Sequence, residues 1–74
     1  MNIGFCIHSS VIDINLVCNY GTKIKDVLEL FLKRVGKPKN NYYFMYKGLR
    51  LNYNDERAME NVFSNGAVVK AVNI

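Results

Sequence analysis

The side chains best suited to chemistry in this 74-residue chain are one histidine and two cysteines. His8 follows Cys6 by two residues, so both lie on one face of an alternating segment and could form a Cys–His pair. A nucleophilic cysteine also needs a group that orients the histidine and donors that stabilise an oxyanion, and the neighbouring sequence supplies neither. We therefore predict that His8 is an exposed turn residue and that the chain is not an enzyme.

Other reactive combinations are equally weak. Asp55 and Glu56 are adjacent in a polar stretch, which predicts two solvated carboxylates and not an acid–base pair. The five glycines are scattered, so no phosphate-binding loop is expected. Cys6 and Cys18 match no metal-ligand or disulfide spacing. The sequence thus predicts inert thiols, no catalytic residue, no metal and no cofactor.

Length and composition indicate a single globular domain covering residues 1–74, because half of the residues are hydrophobic and 22% are charged. A transmembrane helix needs about 18 consecutive apolar residues, and the longest apolar runs are far shorter. Without a basic leader or a continuous apolar block at the start, we expect a cytoplasmic or nuclear protein that contacts no membrane. The net charge of +4 indicates either scattered surface lysines or a partner of negative charge.

Hydrophobic periodicity predicts the elements that would position these residues. Residues 2–8 and 12–18 alternate as two strands of a hairpin, with the turn at Ser9–Ser10 and with Cys18 inward and Cys6 outward. Apolar residues at spacings of three and four then predict a helix that Thr22 caps and Gly36 ends.

Further strands are predicted at 42–46, 49–51 and 68–72, with a helical turn at 58–63 that places Met59 in the core. The fold class is therefore α+β, with a mixed four- to five-stranded sheet and one helix packed across it. The first and last strands are expected to lie side by side, parallel and central.

Tyrosines and basic residues are interleaved between positions 37 and 53, which offers an alternative function. Aromatic faces can stack nucleic-acid bases while lysine and arginine meet phosphates. The residues concerned are Tyr42, Tyr43, Tyr46, Tyr53, Lys37, Lys39, Lys47 and Arg50. The competing interpretation is that alternate aromatics of this strand divide between core and solvent, with Phe44 packed beneath the helix.

Several segments follow one another in a characteristic order and spacing. They are Met1–Ile3, the strand containing Ile12, Ile14 and Leu16, the helix from Thr22 to Gly36 with Pro38 after it, and above all the segment Tyr43–Leu51. On these residues the whole chain resembles the ubiquitin family. The stretch from helix to strand also resembles the SUMO branch. The resemblance implies a β-grasp fold and function through protein recognition.

The family's conjugated members end in Gly-Gly, whereas this chain ends Val72-Asn73-Ile74. The resemblance therefore implies a non-conjugated ubiquitin-like module, expected to be the N-terminal domain of a longer protein. By position, its contact surface would contain Met45, Lys47, Leu49, Lys70 and Val72, with Met45 and Val72 as apolar anchors. The family's apolar residue of the first hairpin has no clear equivalent, because His8 or Ser9 stands in that turn.

Three functions follow from this resemblance. The first is a monomeric module that docks its host protein to ubiquitin receptors, the proteasome or the conjugation machinery. The second is an RNA-binding ubiquitin-like domain of a splicing-type protein, which would use the tyrosine-rich strand. The third is a ubiquitin-like modifier whose sequence continues beyond Ile74 to a Gly-Gly end.

Overall fold

A computed structural model describes residues 1–8 and 10–74, which form five strands, one α-helix and two short 3-10 helices. The strands are β1 (Asn2–Ile7), β2 (Asp13–Val17), β3 (Tyr42–Tyr46), β4 (Leu49–Leu51) and β5 (Ala67–Asn73). The α-helix is α1 (Ile24–Val35), and the 3-10 helices are Lys39–Asn41 and Met59–Asn61. No helix in the described part of the chain is long and apolar enough to cross a membrane.

The five strands form one mixed sheet in the order β2-β1-β5-β3-β4. β1 and β5 are parallel, and every other neighbouring pair is antiparallel. The first and last strands therefore lie side by side within the sheet, as predicted. The predicted α+β class, with one helix packed across a mixed sheet, is confirmed.

The core lies between α1 and one face of the sheet. Ile3, Phe5 and Ile7 of β1 are buried, as their alternation predicts. The Phe5 ring stacks on Phe31 of α1 with ring centroids 4.4 Å apart, and the edge of Phe44 meets Phe31 at 5.6 Å. Burying each such side chain contributes about 1.5–3 kcal/mol. Phe44 beneath the helix and Met59 in the core are both confirmed.

The start of α1 differs from the prediction. Lys23, not Thr22, occupies the N-cap position, and it makes no side-chain capping hydrogen bond. The Thr22 hydroxyl instead donates to the Asn19 carbonyl at 2.7 Å. The first helical N–H groups, of Ile24 and Lys25, donate to the carbonyls of Arg57 and Asp55, both at 2.9 Å. A distant loop thus satisfies the donors that a capping side chain would otherwise take.

The end of α1 agrees with the prediction. Gly36 adopts a left-handed conformation with φ of 69°, and its N–H donates back to carbonyls of the last helical turn.

The first hairpin keeps its predicted register, but its pairing and burial end earlier than predicted. Leu16 and Cys18 are buried as expected, but Ile14 is only half-buried and Ile12 is 55% exposed. The pairing with β1 ends at Cys6 and Asp13, so Ile12 lies beyond the last paired residue and has no core to face. Of the predicted turn, Ser9 lies outside the described residues, and the Ser10 N–H donates to the Ile7 carbonyl.

The two thiols are free and lie on opposite sides of the sheet, as predicted. Cys18 faces the core, where burial raises its pKa, and Cys6 is half-exposed on the other face.

Asp55 is not the solvated carboxylate that the sequence suggests. Its side chain is only 8% exposed, while that of Glu56 is 64% exposed. The Arg57 guanidinium donates to Asp55 Oδ2 at 2.6 Å, and the Arg57 N–H donates to Oδ1 at 3.0 Å. These hydrogen bonds lower the pKa of Asp55. They also hold the loop whose carbonyls cap α1.

We predict that Asp55→Asn lowers the free energy of unfolding at pH 7 by about 1–2 kcal/mol, a modest value because Arg57 is exposed to solvent. Folding lowers the pKa of Asp55, so its contribution is present above the ordinary value of 3.8 and is lost as the pH falls through the folded-state value. Urea unfolding from pH 7 to pH 2 measures this difference.

Glu56→Gln is the matched control for this measurement. Glu56 accepts from the ammonium of Lys25 at 2.8 Å, but the pair is solvated and should contribute little. An Asp55→Asn deficit that stays constant down to pH 2 would contradict the assigned role of the carboxylate.

Candidate functional site

The face of the sheet opposite α1, here called the open face, carries no covering element among the described residues. Strand alternation sends the core-facing residues of β1, β3 and β5 towards α1 and their neighbours to the open face. The open-face residues of these strands are Asn2, Gly4, Cys6, Tyr43, Met45, Val68, Lys70 and Val72. The described part of the fold therefore leaves this face of the sheet open to solvent.

The strand register gathers most of the predicted contact residues on this face. Lys70 of β5 lies opposite Cys6 on one side and Met45 on the other. Val72 lies opposite Tyr43, one step further along the same pair of strands. A shallow depression of about 450 Å³ joins them, lined by His8, Tyr43, Met45, Lys47, Gly48, Val68, Lys70 and Val72. Four of the five predicted residues, Met45, Lys47, Lys70 and Val72, thus share one surface.

Leu49 does not join this surface. It pairs with Tyr46, whose side chain lies in the core, so the Leu49 side chain leaves the sheet on the side of α1. The two-residue turn Lys47–Gly48, with φ of 50° and 79°, sets this register. Leu49 is 72% exposed, but the strand residue that neighbours Met45 on the open face is Arg50.

Three open-face residues were missed by the sequence analysis of the contact surface. Val68 is 60% exposed beside Lys70, and Tyr43 is half-buried beside Val72. The Arg50 guanidinium lies over the Tyr43 ring, 4.8 Å from its centre. Alternation from Met45 and Lys70 would have found Tyr43 and Val68, since both lie two positions away. Placing Arg50 on the open face requires the register of the β3–β4 hairpin, in which Arg50 pairs with Met45.

The charge of the open face is positive. Lys47, Lys70 and Arg50 surround the apolar residues, and none of them takes part in an ion pair within residues 1–8 and 10–74. The carboxylate on this face, Asp13, stands at the edge strand opposite Cys6. An apolar centre with cationic neighbours favours a partner that combines apolar side chains with carboxylates.

The predicted stacking platform of tyrosines is not assembled. Tyr42 and Tyr46 are 5% and 9% exposed because they face the core. The Tyr53 ring meets the edge of Phe44 at 5.8 Å, and its buried hydroxyl, which has no hydrogen-bond partner among the described residues, has a pKa raised by burial. Tyr43 alone of the four lies on the open face, and Arg50 covers one side of its ring. The aromatics thus divide between core and solvent, which was the competing interpretation.

A larger groove of about 600 Å³ lies on the other side of the molecule, between α1 and the loops around residues 37 and 53. Its rim mixes carboxylates with lysines, namely Asp26, Glu29, Lys25, Lys33, Lys37 and Lys39. With four lysines against two carboxylates this rim is also net positive, but unlike the open face it places carboxylates among its cations. In the part of the chain that the structure describes, no three His, Cys, Asp or Glu residues are grouped so that they could hold a metal ion.

Comparison with known proteins bears on the fold. No protein-family model and no curated protein matches the chain. Among solved structures, the chain is similar to the crystal structure of the UBL domain of Plasmodium falciparum Dsk2, with a TM-score of 0.79 and 15% sequence identity. The match covers 100% of this chain and 97% of that one.

The chain has the ubiquitin-like β-grasp fold. At 15% identity the similarity shows the fold alone. In this ubiquitin-like domain the central strands β1, β5 and β3 present the open face, and the predicted anchors Met45 and Val72 lie on two of them.

Proposed function

We propose that this ubiquitin-like domain is a non-enzymatic, non-conjugated module that binds partner proteins through its open face. The observation that supports this most is the convergence of Met45, Lys70 and Val72 in one shallow depression on a face that no element of residues 1–8 and 10–74 covers. These residues come from two strands that are far apart in sequence.

The depression has the make-up of a small protein-binding surface. Met45 and Val72 are half-buried and supply apolar area at its centre, and methionine adapts its shape to different partners. Lys47 and Lys70 are exposed at its rim, where charge raises association rates more than it raises affinity. Such a surface suits modest, reversible binding.

The partners we propose are ubiquitin receptors, proteasome subunits or components of the conjugation machinery. The ubiquitin-like fold and the family resemblance support this choice. We further propose that the domain is the N-terminal module of a longer host protein and acts as a monomer in the cytoplasm or nucleus. The free thiols of Cys6 and Cys18 suit such a reducing compartment.

The two alternatives are less well supported. For RNA binding, three of the four tyrosines (Tyr42, Tyr46 and Tyr53) lie on the core side of the sheet and cannot stack on bases. The cations of the open face would still attract phosphate. A modifier requires a Gly-Gly end beyond Ile74, and reading the codons that follow Ile74 tests this alternative.

We predict that Met45→Ala and Leu49→Ala have opposite outcomes in a binding assay. Both remove an apolar side chain from neighbouring strands, but only Met45 lies on the open face. Met45→Ala should weaken binding about tenfold or more, as truncation of a central contact does, while Leu49→Ala should change it less than about twofold. Titration calorimetry against a panel of ubiquitin-receptor domains and proteasome subunits measures both.

Equal affinity of wild type and Met45→Ala for every panel member that binds would contradict the proposed surface. A loss with Leu49→Ala alone would move the contact to the rim of the sheet beside α1. Circular dichroism melting of both variants separates lost contact from lost fold.

Charge reversal gives a second prediction. Lys70→Glu should slow association about three- to tenfold at low salt, and the difference should shrink as salt rises, because surface charges are screened. Lys39→Glu makes the same change in net charge in the groove on the other side of the molecule and should have little effect. Stopped-flow association rates measured from about 20 mM to about 500 mM salt provide the test, because screening is weak at the low end and strong at the high end. Equal rates for the two variants would show that overall charge alone matters.

A further inference from the structure

Gly4 is the glycine whose presence the fold does not explain. The other four glycines have φ values between 69° and 91°, a region that favours glycine. Gly4 lies inside β1 in extended backbone and pairs with Asn15 on one side and Val68 on the other. A glycine within a strand weakens it, since it costs more backbone entropy and packs no side chain.

The space above Gly4 would accept a side chain. A Cβ atom there would lie 3.6 Å from Val68 Cγ2 and 3.7 Å from the Ala67 carbonyl oxygen, which are ordinary contacts. It would lie 3.1 Å from Asn15 Oδ1, but that atom ends an exposed side chain that can rotate away. Neither backbone geometry nor packing therefore requires glycine at this position.

The missing side chain leaves a trough along β1 on the open face. The Asn15 amide leans over it, with Oδ1 3.1 Å from the position of a Gly4 Cβ, so a side chain that enters the trough displaces this amide. The floor of the trough is Gly4 with the small Cys6 beyond it. Val68, 60% exposed, stands on the β5 side, and Asn15 with Val17, which is 79% exposed, stands on the β2 side. Strands are spaced by about 4.8 Å, so the two walls are about 10 Å apart, enough for one branched apolar side chain.

The trough is continuous with the surface proposed above. Cys6 lies directly opposite Lys70, which in turn lies opposite Met45. A partner seated on Met45 and Val72 would therefore reach β1 by crossing β5 at the exposed Lys70 side chain. Backbone left bare inside a strand often marks a position that another molecule approaches closely.

We propose that Gly4 is the floor of a socket, in which an apolar side chain of the docking partner lies between Val68 and the Asn15–Val17 side of β2. The partner's segment carries carboxylates on the β5 side of that side chain, because Lys70 and Lys47 stand there without ion-pair partners in the described chain, whereas Asp13 lies on the β2 side. This inference rests on the proposed function and names the specificity-determining residue of the same surface.

Filling the socket is the test. Gly4→Val should lower affinity about tenfold, and Gly4→Ala should give a smaller loss, for a panel member that Met45→Ala has identified as an open-face ligand. Val68→Thr, which keeps the shape of the wall but makes it polar, should weaken binding several-fold. Leu30→Ala, on the exposed side of α1, is the control and should bind like wild type. Melting temperatures of both Gly4 variants should equal or exceed that of wild type.

Three results would each overturn the socket. If Gly4→Val binds like wild type while Met45→Ala does not, the socket is wrong and the docking surface stands. If both Gly4 variants melt well below wild type, the fold requires the glycine and the socket is also wrong. If wild type binds no panel member, the proposed function fails and the socket fails with it. This outcome differs from the other two because in those the wild-type domain binds.

Discussion

The packing of α1 against one face of the sheet is the constraint on which the rest of this structure depends. Phe31 meets Phe5 and Phe44, so the three rings join the helix to two strands of the sheet. Every strand then has its register fixed, because a shift by one residue would turn its apolar side chains away from the helix. The same constraint sends the alternate residues, Met45, Lys70 and Val72, to the opposite face.

The open face owes its character to those alternate positions, which the core leaves free to vary. The open face is therefore uneven in height and positively charged. β1 carries small residues, β5 and the β3–β4 hairpin carry cations, and half-buried apolar side chains lie between them. Arg50 stacked on Tyr43 occupies a ring that could otherwise hold a nucleic-acid base. The surface therefore favours a protein with apolar and acidic side chains over RNA.

Features governed by local periodicity could be predicted from the sequence. Alternation in β1 and β3, the helical spacing in α1 and the glycine at its end depend on neighbouring residues alone. Where the prediction was wrong, a distant contact decided the outcome. Thr22 does not cap α1, because the carbonyls of Asp55 and Arg57 accept hydrogen bonds from the first helical N–H groups. Leu49 was assigned to the contact surface by its position in the family resemblance. That position does not reveal which face of the sheet Leu49 takes, because the turn geometry at Lys47–Gly48 sets it.

The central claim is that partners bind the open face, and amide shift mapping tests it most directly. With ¹⁵N-labelled domain and unlabelled ubiquitin-receptor domains or proteasome subunits, we expect the largest shifts at Met45, Lys70 and Val72, with α1 unaffected. Absence of shifts at these residues with every partner, or shifts concentrated on α1 and the groove beside Lys33, would contradict the account.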